Sequence, residues 1–242
     1  MIEIKNLNKI FKVPHERRKT LFETLVGGVK RDYELIYALK DINLRISSGE
    51  AIGIIGPNGS GKSTLLRIIS GIYKSTNGSI SVNGSVTPIL DLGAGLQDDL
   101  SGKENIYLYS TLLGVRRKEI EEKFEHIVEF SDIKKFIDTR VEYYSYGMRA
   151  RLAFSIVASI NTDILVSDEI YAVGDINFQQ KCHKMFKELK ENGKTLILVS
   201  HSTSDIQNLC DRVVLLENGR ITMVDKPKKV INYYTNKYLV KK

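Results

Sequence analysis

Residues 56–64 restrict the fold of this 242-residue chain more than any other segment. They read Gly-Pro-Asn-Gly-Ser-Gly-Lys-Ser-Thr and directly follow an apolar run of strand length at residues 51–55. A glycine, four residues, a second glycine, lysine and then serine or threonine form the P-loop pattern, which requires a strand, a tight loop and a helix in succession. Glycines let a backbone wrap closely around phosphate oxygens, and the loop amides and the helix N-terminus attract negative charge. The segment therefore predicts binding of a nucleoside triphosphate.

The P-loop pattern also assigns roles to single residues. We expect Lys62 to reach the β- and γ-phosphates and Ser63 to bind Mg²⁺, with ATP and Mg²⁺ as the cofactors. The predicted nucleotide-binding residues of this segment are Gly56, Pro57, Asn58, Gly59, Ser60, Gly61, Lys62, Ser63 and Thr64.

The segments around the P-loop predict an α/β fold. Strand patterns occur at residues 2–7, 38–46, 164–166, 196–199 and 212–216. Two short strand-like pieces lie within residues 78–86, and the pattern from about 101 to 160 is helical. Strands that alternate with helices in this way predict a parallel sheet with helices on both faces.

Residues 12–36 do not fit a simple connection between the first two strands. An apolar stripe at helical spacing is formed by Leu21, Phe22, Leu25, Val26 and Val29. Basic residues flank this stripe, namely Arg17, Arg18, Lys19, Lys30 and Arg31. A short basic amphipathic helix of this kind suits a membrane interface or a membrane-embedded partner. Packing of the stripe on its own domain is the alternative, and the residues alone leave both open.

A P-loop site that hydrolyses its nucleotide also needs a carboxylate for the metal and a group that orients water. Asp168 and Glu169 follow an apolar strand pattern, and we expect Asp168 to bind Mg²⁺ and Glu169 to polarise the attacking water. His201 follows another apolar strand pattern. Because open α/β sheets gather ligands at the carboxyl ends of their strands, we expect His201 near the γ-phosphate. The predicted catalytic residues are therefore Glu169 and His201, and the predicted metal ligands are Ser63 and Asp168.

Residues 144–152, Tyr-Ser-Tyr-Gly-Met-Arg-Ala-Arg-Leu, predict a second anion-binding helix N-terminus. Ser145 stands at the helix start, Gly147 follows two residues later, and an amphipathic helix comes next. A domain with one P-loop does not need a second phosphate site for its own nucleotide. We therefore expect Ser145 and Gly147 to bind the ATP of a second copy of the chain.

Together these motifs resemble the ATP-binding cassette (ABC) family, the nucleotide-binding subunits of ABC transporters, over almost the whole chain. Residues 144–148 take the place of the family signature Leu-Ser-Gly-Gly-Gln and keep its serine and second glycine. Residues 172–175, Ala-Val-Gly-Asp, are similar to the family's D-loop, and His201 matches its switch histidine. The amino-acid sequences at 144–154 and 102–106 are similar to those of the polysaccharide-export group.

The resemblance implies a fold and its divisions. The fold is an α/β P-loop NTPase of the ABC type, with an antiparallel β subdomain and a helical signature subdomain. The ATP-binding domain covers residues 1–225, including the basic amphipathic insertion at 12–36 and a helical subdomain at about 100–160. Residues 226–242 form a short C-terminal tail.

The resemblance also implies a function. It is that of a Mg²⁺-dependent ATPase that drives export of a lipid-linked polysaccharide such as O-antigen or teichoic acid. The implied partners are a second copy in a homodimer and an integral membrane permease that handles the lipid-linked glycan, with no nucleic acid expected. The implied location is peripheral, at the cytoplasmic face of the inner membrane, with residues 12–36 at the membrane gate.

The resemblance implies three further roles. The aromatic residue that stacks on adenine is Phe11, at the end of the first strand, or Tyr37, just before the second, and Phe11 is favoured. The family's Q-loop glutamine falls near Asp91 or Leu92, and Gln97 lies several positions later. Asp175 is the D-loop residue implied to reach across the dimer interface.

Two other functions compete with polysaccharide export. The net charge of +7 is compatible with a soluble ABC ATPase that acts on nucleic acid or ribosomes. Members of that kind usually carry two cassettes or long coiled-coil or zinc insertions, and this chain has one cassette without them. The second alternative is the ATPase of another ABC transporter. The sequence of the signature segment and the insertion at 12–36 argue against this alternative.

Overall fold

The computed structural model describes residues 1–14, 33–90, 93–168, 174–200 and 202–238. The strands are β1 (Ile2–Pro14), β2 (Tyr33–Ile46), β3 (Ala51–Ile55), β4 (Asn77–Val82), β5 (Val86–Ile89), β6 (Ile164–Asp168), β7 (Thr195–Val199), β8 (Arg212–Glu217) and β9 (Arg220–Asp225). The α-helices are α1 (Lys62–Ile69), α2 (Gly102–Leu112), α3 (Arg117–Ser131), α4 (Tyr146–Ala158), α5 (Ile176–Glu191), α6 (Thr203–Leu209) and α7 (Pro227–Tyr238).

The strands form two sheets. The first is antiparallel, with the order β2-β1-β4, and confirms the antiparallel subdomain. The second has the order β5-β6-β7-β3-β8-β9. Its strands are parallel from β5 to β8, as predicted, and β9, a strand that the sequence did not predict, adds an antiparallel edge beside β8. The reason is a tight turn at Asn218 and Gly219, which both have positive φ (49° and 78°) and join the two strands as a hairpin.

The second sheet is covered on both faces because its central strands β3, β6, β7 and β8 are largely apolar and buried. Side chains such as Ile52 and Ile54 pack with α1 and with the antiparallel sheet. Neighbouring side chains such as Leu196 and Leu198 pack on the opposite face with α4, α5, α6 and α7. This arrangement places the loops at the carboxyl ends of β3, β6 and β7 at one edge of the sheet.

The helical subdomain contains α2, α3 and α4 and confirms the predicted helical region. Its own apolar cluster includes Ile106, Ile127 and Leu152, which are all buried. The start of α2 is fixed by a capping box in which Ser101 and Glu104 bond to each other's backbone amides.

Two predicted segments differ in the structure. Val13 and Pro14 pair with Glu34 and Tyr33, since β1 and β2 extend into the predicted insertion at 12–36. The predicted amphipathic stripe at residues 21–29 lies outside the described residues, so the helix there stays a prediction. The predicted tail at 226–242 contains α7, whose Val230 and Ile231 are buried in the core, because Pro227 can start a helix and these apolar residues give it a face to bury.

Candidate nucleotide site

Two glycines of the P-loop occupy positions that no other residue fits. Gly56 has a φ of 155°, and a Cβ there would lie 2.0 Å from the carbonyl oxygen of Leu216. Gly61 has a φ of 106°, and a Cβ there would lie 2.6 Å from the carbonyl oxygen of Ala38. The two ends of the loop therefore pack directly on the backbones of β8 and β2, and the pattern of glycines is a steric requirement.

Lys62 is the first residue of α1, and its side chain folds back over the loop. Its Nζ donates hydrogen bonds to the carbonyl oxygens of Gly56 (2.8 Å) and Pro57 (3.1 Å), and the residue is only 9% exposed. The first turn of α1 contains no acidic residue. The ammonium group and the positive end of the helix dipole therefore lie at the same loop, where they favour an anion.

The residues of the loop fit a phosphate chain and its metal. A Cβ at Gly59 would meet no heavy atom within 4 Å, so this part of the loop is open. Ser60 is buried, and its Oγ has no hydrogen-bond partner in the part of the chain that the structure describes. Ser63 and Thr64 are half-buried in the first turn of α1. The Ser63 hydroxyl and the Asp168 carboxylate are oxygen donors of the kind that Mg²⁺ prefers.

Asp168 lies at the carboxyl edge of the sheet, as predicted. It ends β6 and pairs with Val199 of β7, and Val199 pairs in turn with Ile54 of β3. Because neighbouring strands are about 4.8 Å apart, its backbone lies roughly 10 Å across the sheet from the strand that carries the P-loop. Glu169 and His201 follow β6 and β7 in sequence but lie outside the described residues, so their roles stay predictions.

The second predicted phosphate site is at the N-terminus of α4. Ser145 caps this helix, since its Oγ accepts a hydrogen bond from the backbone amide of Met148 (3.2 Å). A Cβ at Gly147 would meet only the Ser145 Oγ, at 4.0 Å. The first turn of α4 contains no acidic residue. The helix start is therefore open and favours negative charge, as the sequence predicts.

The tyrosines around Ser145 differ in environment. Tyr144 is buried, and its hydroxyl donates to the Phe136 carbonyl oxygen (2.6 Å). Burial raises the pKa of Tyr144 to about 12, with a further contribution from the charge of Asp138. Tyr143 and Tyr146, in contrast, are 72% and 82% exposed. Tyr144 therefore fixes the segment to the helical subdomain, while its neighbours present aromatic surface beside the helix start.

Two ion pairs near this helix were not predicted from the sequence. Arg149 Nη1 lies 2.6 Å from Asp98 Oδ1 and joins α4 to the loop that precedes α2. Arg151 Nη1 lies 3.7 Å from Asp175 Oδ2. Asp175 is the N-cap of α5, and its Oδ1 accepts a hydrogen bond from the backbone amide of Phe178. Arg149 and Asp98 are 51 residues apart, so no local pattern connects them. Ala172 and Val173 of the predicted D-loop lie outside the described residues.

Both candidates for adenine stacking lie in the antiparallel sheet. The half-buried ring of Phe11 meets that of Tyr73 edge-on, with centroids 5.7 Å apart, and the Nζ of Lys9 lies 4.8 Å from its centre. Tyr37 is 51% exposed and precedes Ala38, whose carbonyl oxygen lies against the P-loop. Both rings therefore belong to the sheet that borders the loop, and the preference for Phe11 stays a prediction.

The Q-loop positions, Asp91 and Leu92, lie outside the described residues. Gln97, the glutamine that follows them, has an exposed side chain and a backbone held by the buried side chain of Asn105. The Gln97 amide donates to Asn105 Oδ1 (2.7 Å), and Asn105 Nδ2 donates to the Gln97 carbonyl oxygen (2.9 Å). This asparagine therefore fixes the loop that leads into α2.

Comparison with known proteins agrees with this geometry. The ABC transporter family profile matches residues 39–172. The O-antigen export system ATP-binding protein RfbB of Klebsiella pneumoniae is 42% identical over 239 residues, which are 97% of each chain. The teichoic acids export ATP-binding protein TagH of Lactococcus lactis is 41% identical over 234 residues, which are 96% of this chain and 50% of that protein. This chain thus spans about half the length of the teichoic acids relative.

A solved structure shows the same fold. The ATP-binding cassette MJ0796, determined as a dimer bound to ADP and Pi, superposes with a TM-score of 0.75 at 23% identity and covers 94% of this chain and 99% of its own. Within the described ranges, no helix of this chain has the length and apolar character needed to cross a bilayer. The family profile, the O-antigen relative that matches over 97% of both chains and the geometry of the P-loop together show that this chain belongs to the ABC transporter family as an ATP-binding ATPase subunit.

Proposed function

We propose that this chain hydrolyses ATP to drive export of a lipid-linked surface polysaccharide across the cytoplasmic membrane. The observation that carries the proposal is the 42% identity to an O-antigen export ATP-binding protein over 97% of both chains. The similarity to a teichoic acids export protein supports the same class of cargo, a glycan polymer, without selecting one glycan. The relatives do not favour the alternative of a soluble ABC ATPase that acts on nucleic acid or ribosomes.

In this proposal each part of the site has one task. Lys62 and the amides of the P-loop hold the β- and γ-phosphates, and Ser63 and Asp168 hold Mg²⁺. Mg²⁺, when bound, neutralises negative charge on the phosphate oxygens. Glu169 orients and polarises the water that attacks the γ-phosphate, and His201 contacts the same phosphate.

The proposed active unit is a homodimer in which each P-loop faces the α4 N-terminus of the other copy. Ser145 and Gly147 then complete the phosphate site from across the interface, a self-complementary two-fold arrangement. Exposed apolar side chains support this assignment. Tyr143 and Tyr146 lie close to Ser145 in the sequence and are mostly exposed. Ile176, which follows the ion-paired Asp175, is 73% exposed.

The proposed second partner is an integral membrane permease, so the chain is placed peripherally at the cytoplasmic face of the membrane. A groove of about 160 Å³ lies between the end of β5 and helices α2 and α4. Its lining is formed by Ile72, Pro88, Ile89, Leu90, Tyr109, Leu113 and Val157. An apolar groove of this kind suits a helical segment of a partner. We assign it to the permease, because the relatives are named as the ATP-binding component of export systems.

Export by intact cells tests the proposal. In a strain that lacks this chain, the lipid-linked glycan should accumulate inside the cell, and the wild-type chain should restore surface glycan. Lys62→Ala should not restore it, because the ammonium group at the phosphate site is lost. Lys118→Ala, which changes an exposed lysine on α3, is the matched control and should restore export. Normal surface glycan in the deletion strain would refute the proposed function.

A further inference from the structure

The hairpin turn between β8 and β9 forms the support on which the P-loop lies. The Leu216 carbonyl oxygen contacts Gly56, as described above, and the amide of Gly219 donates a hydrogen bond to the carbonyl oxygen of Ser60 (3.0 Å). The Gly219 carbonyl oxygen accepts from the amide of Lys40 in β2 (2.7 Å). Residues 216–219 therefore support the P-loop backbone at Gly56 and at Ser60.

Glu217, in the middle of this support, is a buried carboxylate. It is 7% exposed and accepts hydrogen bonds from Lys237 Nζ (2.7 Å) and from the hydroxyl of Tyr238. Burial raises its pKa, but the hydrogen bonds from Lys237, Thr222 and Tyr238 outweigh burial and lower it. The carboxylate is therefore ionised and anchored at neutral pH.

Both anchoring groups come from the last turn of α7. The first half of this helix is fixed independently, because Val230 and Ile231 are buried in the core on the opposite face of the sheet from α1. Lys237 and Tyr238 extend from this fixed helix to Glu217. A continuous set of contacts thus leads from the C-terminal helix through Glu217 to the P-loop.

We propose that Glu217 is a positioning residue for the P-loop and that α7, through Lys237 and Tyr238, sets the affinity of the site for ATP. The proposal rests on the assignment of the P-loop as the ATP site. Glu217 is buried but Lys237 is 43% exposed, so solvent screens the pair and its net contribution to stability is small, whereas removal of Lys237 leaves the buried carboxylate without its cation. What this pair supplies is the placement of a turn that carries two P-loop contacts, and its loss should shift that turn.

The test is ATP binding and hydrolysis by the full chain with Lys237→Met and Tyr238→Phe combined. Loop amides hold phosphate in the ground state and the transition state alike, so a displaced loop weakens both equally. We expect the Kd for ATP without Mg²⁺ and the KM to rise about five- to tenfold, while kcat stays within about twofold of wild type. The matched control is Lys229→Met on the same helix, which removes the ion pair between the exposed Lys229 and Asp225 at the end of β9 and should leave the Kd and the KM unchanged.

The outcomes separate this inference from the proposed function. Unchanged Kd and KM in the double variant, with wild-type protein that binds ATP, would overturn the inference and leave the proposed function intact. Wild-type protein that does not bind ATP would overturn both. If the double variant does not fold, the single variant Tyr238→Phe is measured instead. It removes only one hydroxyl group and should still raise the KM. A lower Tm without any change in the Kd or the KM would mean that α7 only stabilises the fold.

Discussion

At the scale of single residues, the site depends on where charge is held before the nucleotide arrives. Lys62 already donates to the carbonyl oxygens of Gly56 and Pro57, so its ammonium is placed at the loop by the fold. Asp168 is placed at the same sheet edge by the pairing of β6 with β7. In the proposed site both groups are thus in place at the sheet edge before the nucleotide binds, and such preorganisation lowers the free-energy cost of forming a complex.

Glu169 provides the residue-scale prediction for hydrolysis. Glu169→Gln keeps the size of the side chain but removes the negative charge that polarises water. Turnover should fall by about 10²-fold or more, because the attacking water loses its positioning base, while ATP binding should remain. Steady-state ATPase assays and equilibrium binding of ATP on the purified protein measure the two quantities. Full turnover in this variant would show that another group orients the water.

At the scale of elements, the signature segment depends on one glycine outside it. A Cβ at Gly102, the first residue of α2, would lie 2.2 Å from the hydroxyl oxygen of Tyr144. That hydroxyl also donates to the Phe136 carbonyl oxygen. The start of α2 and the start of α4 are therefore packed together, and the Arg149–Asp98 ion pair joins the same two parts of the helical subdomain.

Gly102→Ala tests this packing. The added methyl group should force Tyr144 away from Phe136 and lower the free energy of unfolding by about 1–3 kcal/mol, as overpacking usually does. Adding Tyr144→Phe should recover part of the loss, because the clashing oxygen is gone. Gly147→Ala, at an open position of α4, is the control and should not destabilise the protein. Urea unfolding of the variants gives the free energies, and purely additive effects of Gly102→Ala and Tyr144→Phe would argue against the contact.

The sequence predicted those parts of the fold that depend on local pattern. The strand, loop and helix around residues 51–69 follow from the P-loop glycines and from an apolar run, and the edge position of Asp168 follows from the strand before it. The hairpin at Asn218 and Gly219 was missed although this dipeptide is a turn signal, because the strand after it is half-exposed and lacks a continuous apolar run. The contact of Glu217 with Lys237 could not be predicted, since it depends on how α7 packs against the finished sheet.

At the scale of the whole molecule, the open N-terminus of α4 and the exposed Tyr143 and Tyr146 form the surface on which the proposed two-fold dimer depends. A single chain presents one P-loop and one such helix start. In the proposed homodimer each P-loop faces the helix start of the other copy, so each bound ATP would belong both to a site and to the interface. ATP should therefore act as the link that holds the copies together, by mass action on the associated state.

This dependence gives the last prediction. The Glu169→Gln protein should convert from monomer to dimer when ATP is added, because bound ATP is no longer hydrolysed. Adding Ser145→Arg should abolish the conversion, since a long cationic side chain would occupy the space proposed for the partner's phosphates. Ser79→Arg, at an exposed serine on β4, is the control and should leave dimer formation unchanged. Sedimentation velocity with and without ATP measures the conversion. A dimer that forms equally well with Ser145→Arg would place the interface elsewhere and remove Ser145 from the ATP site of the partner.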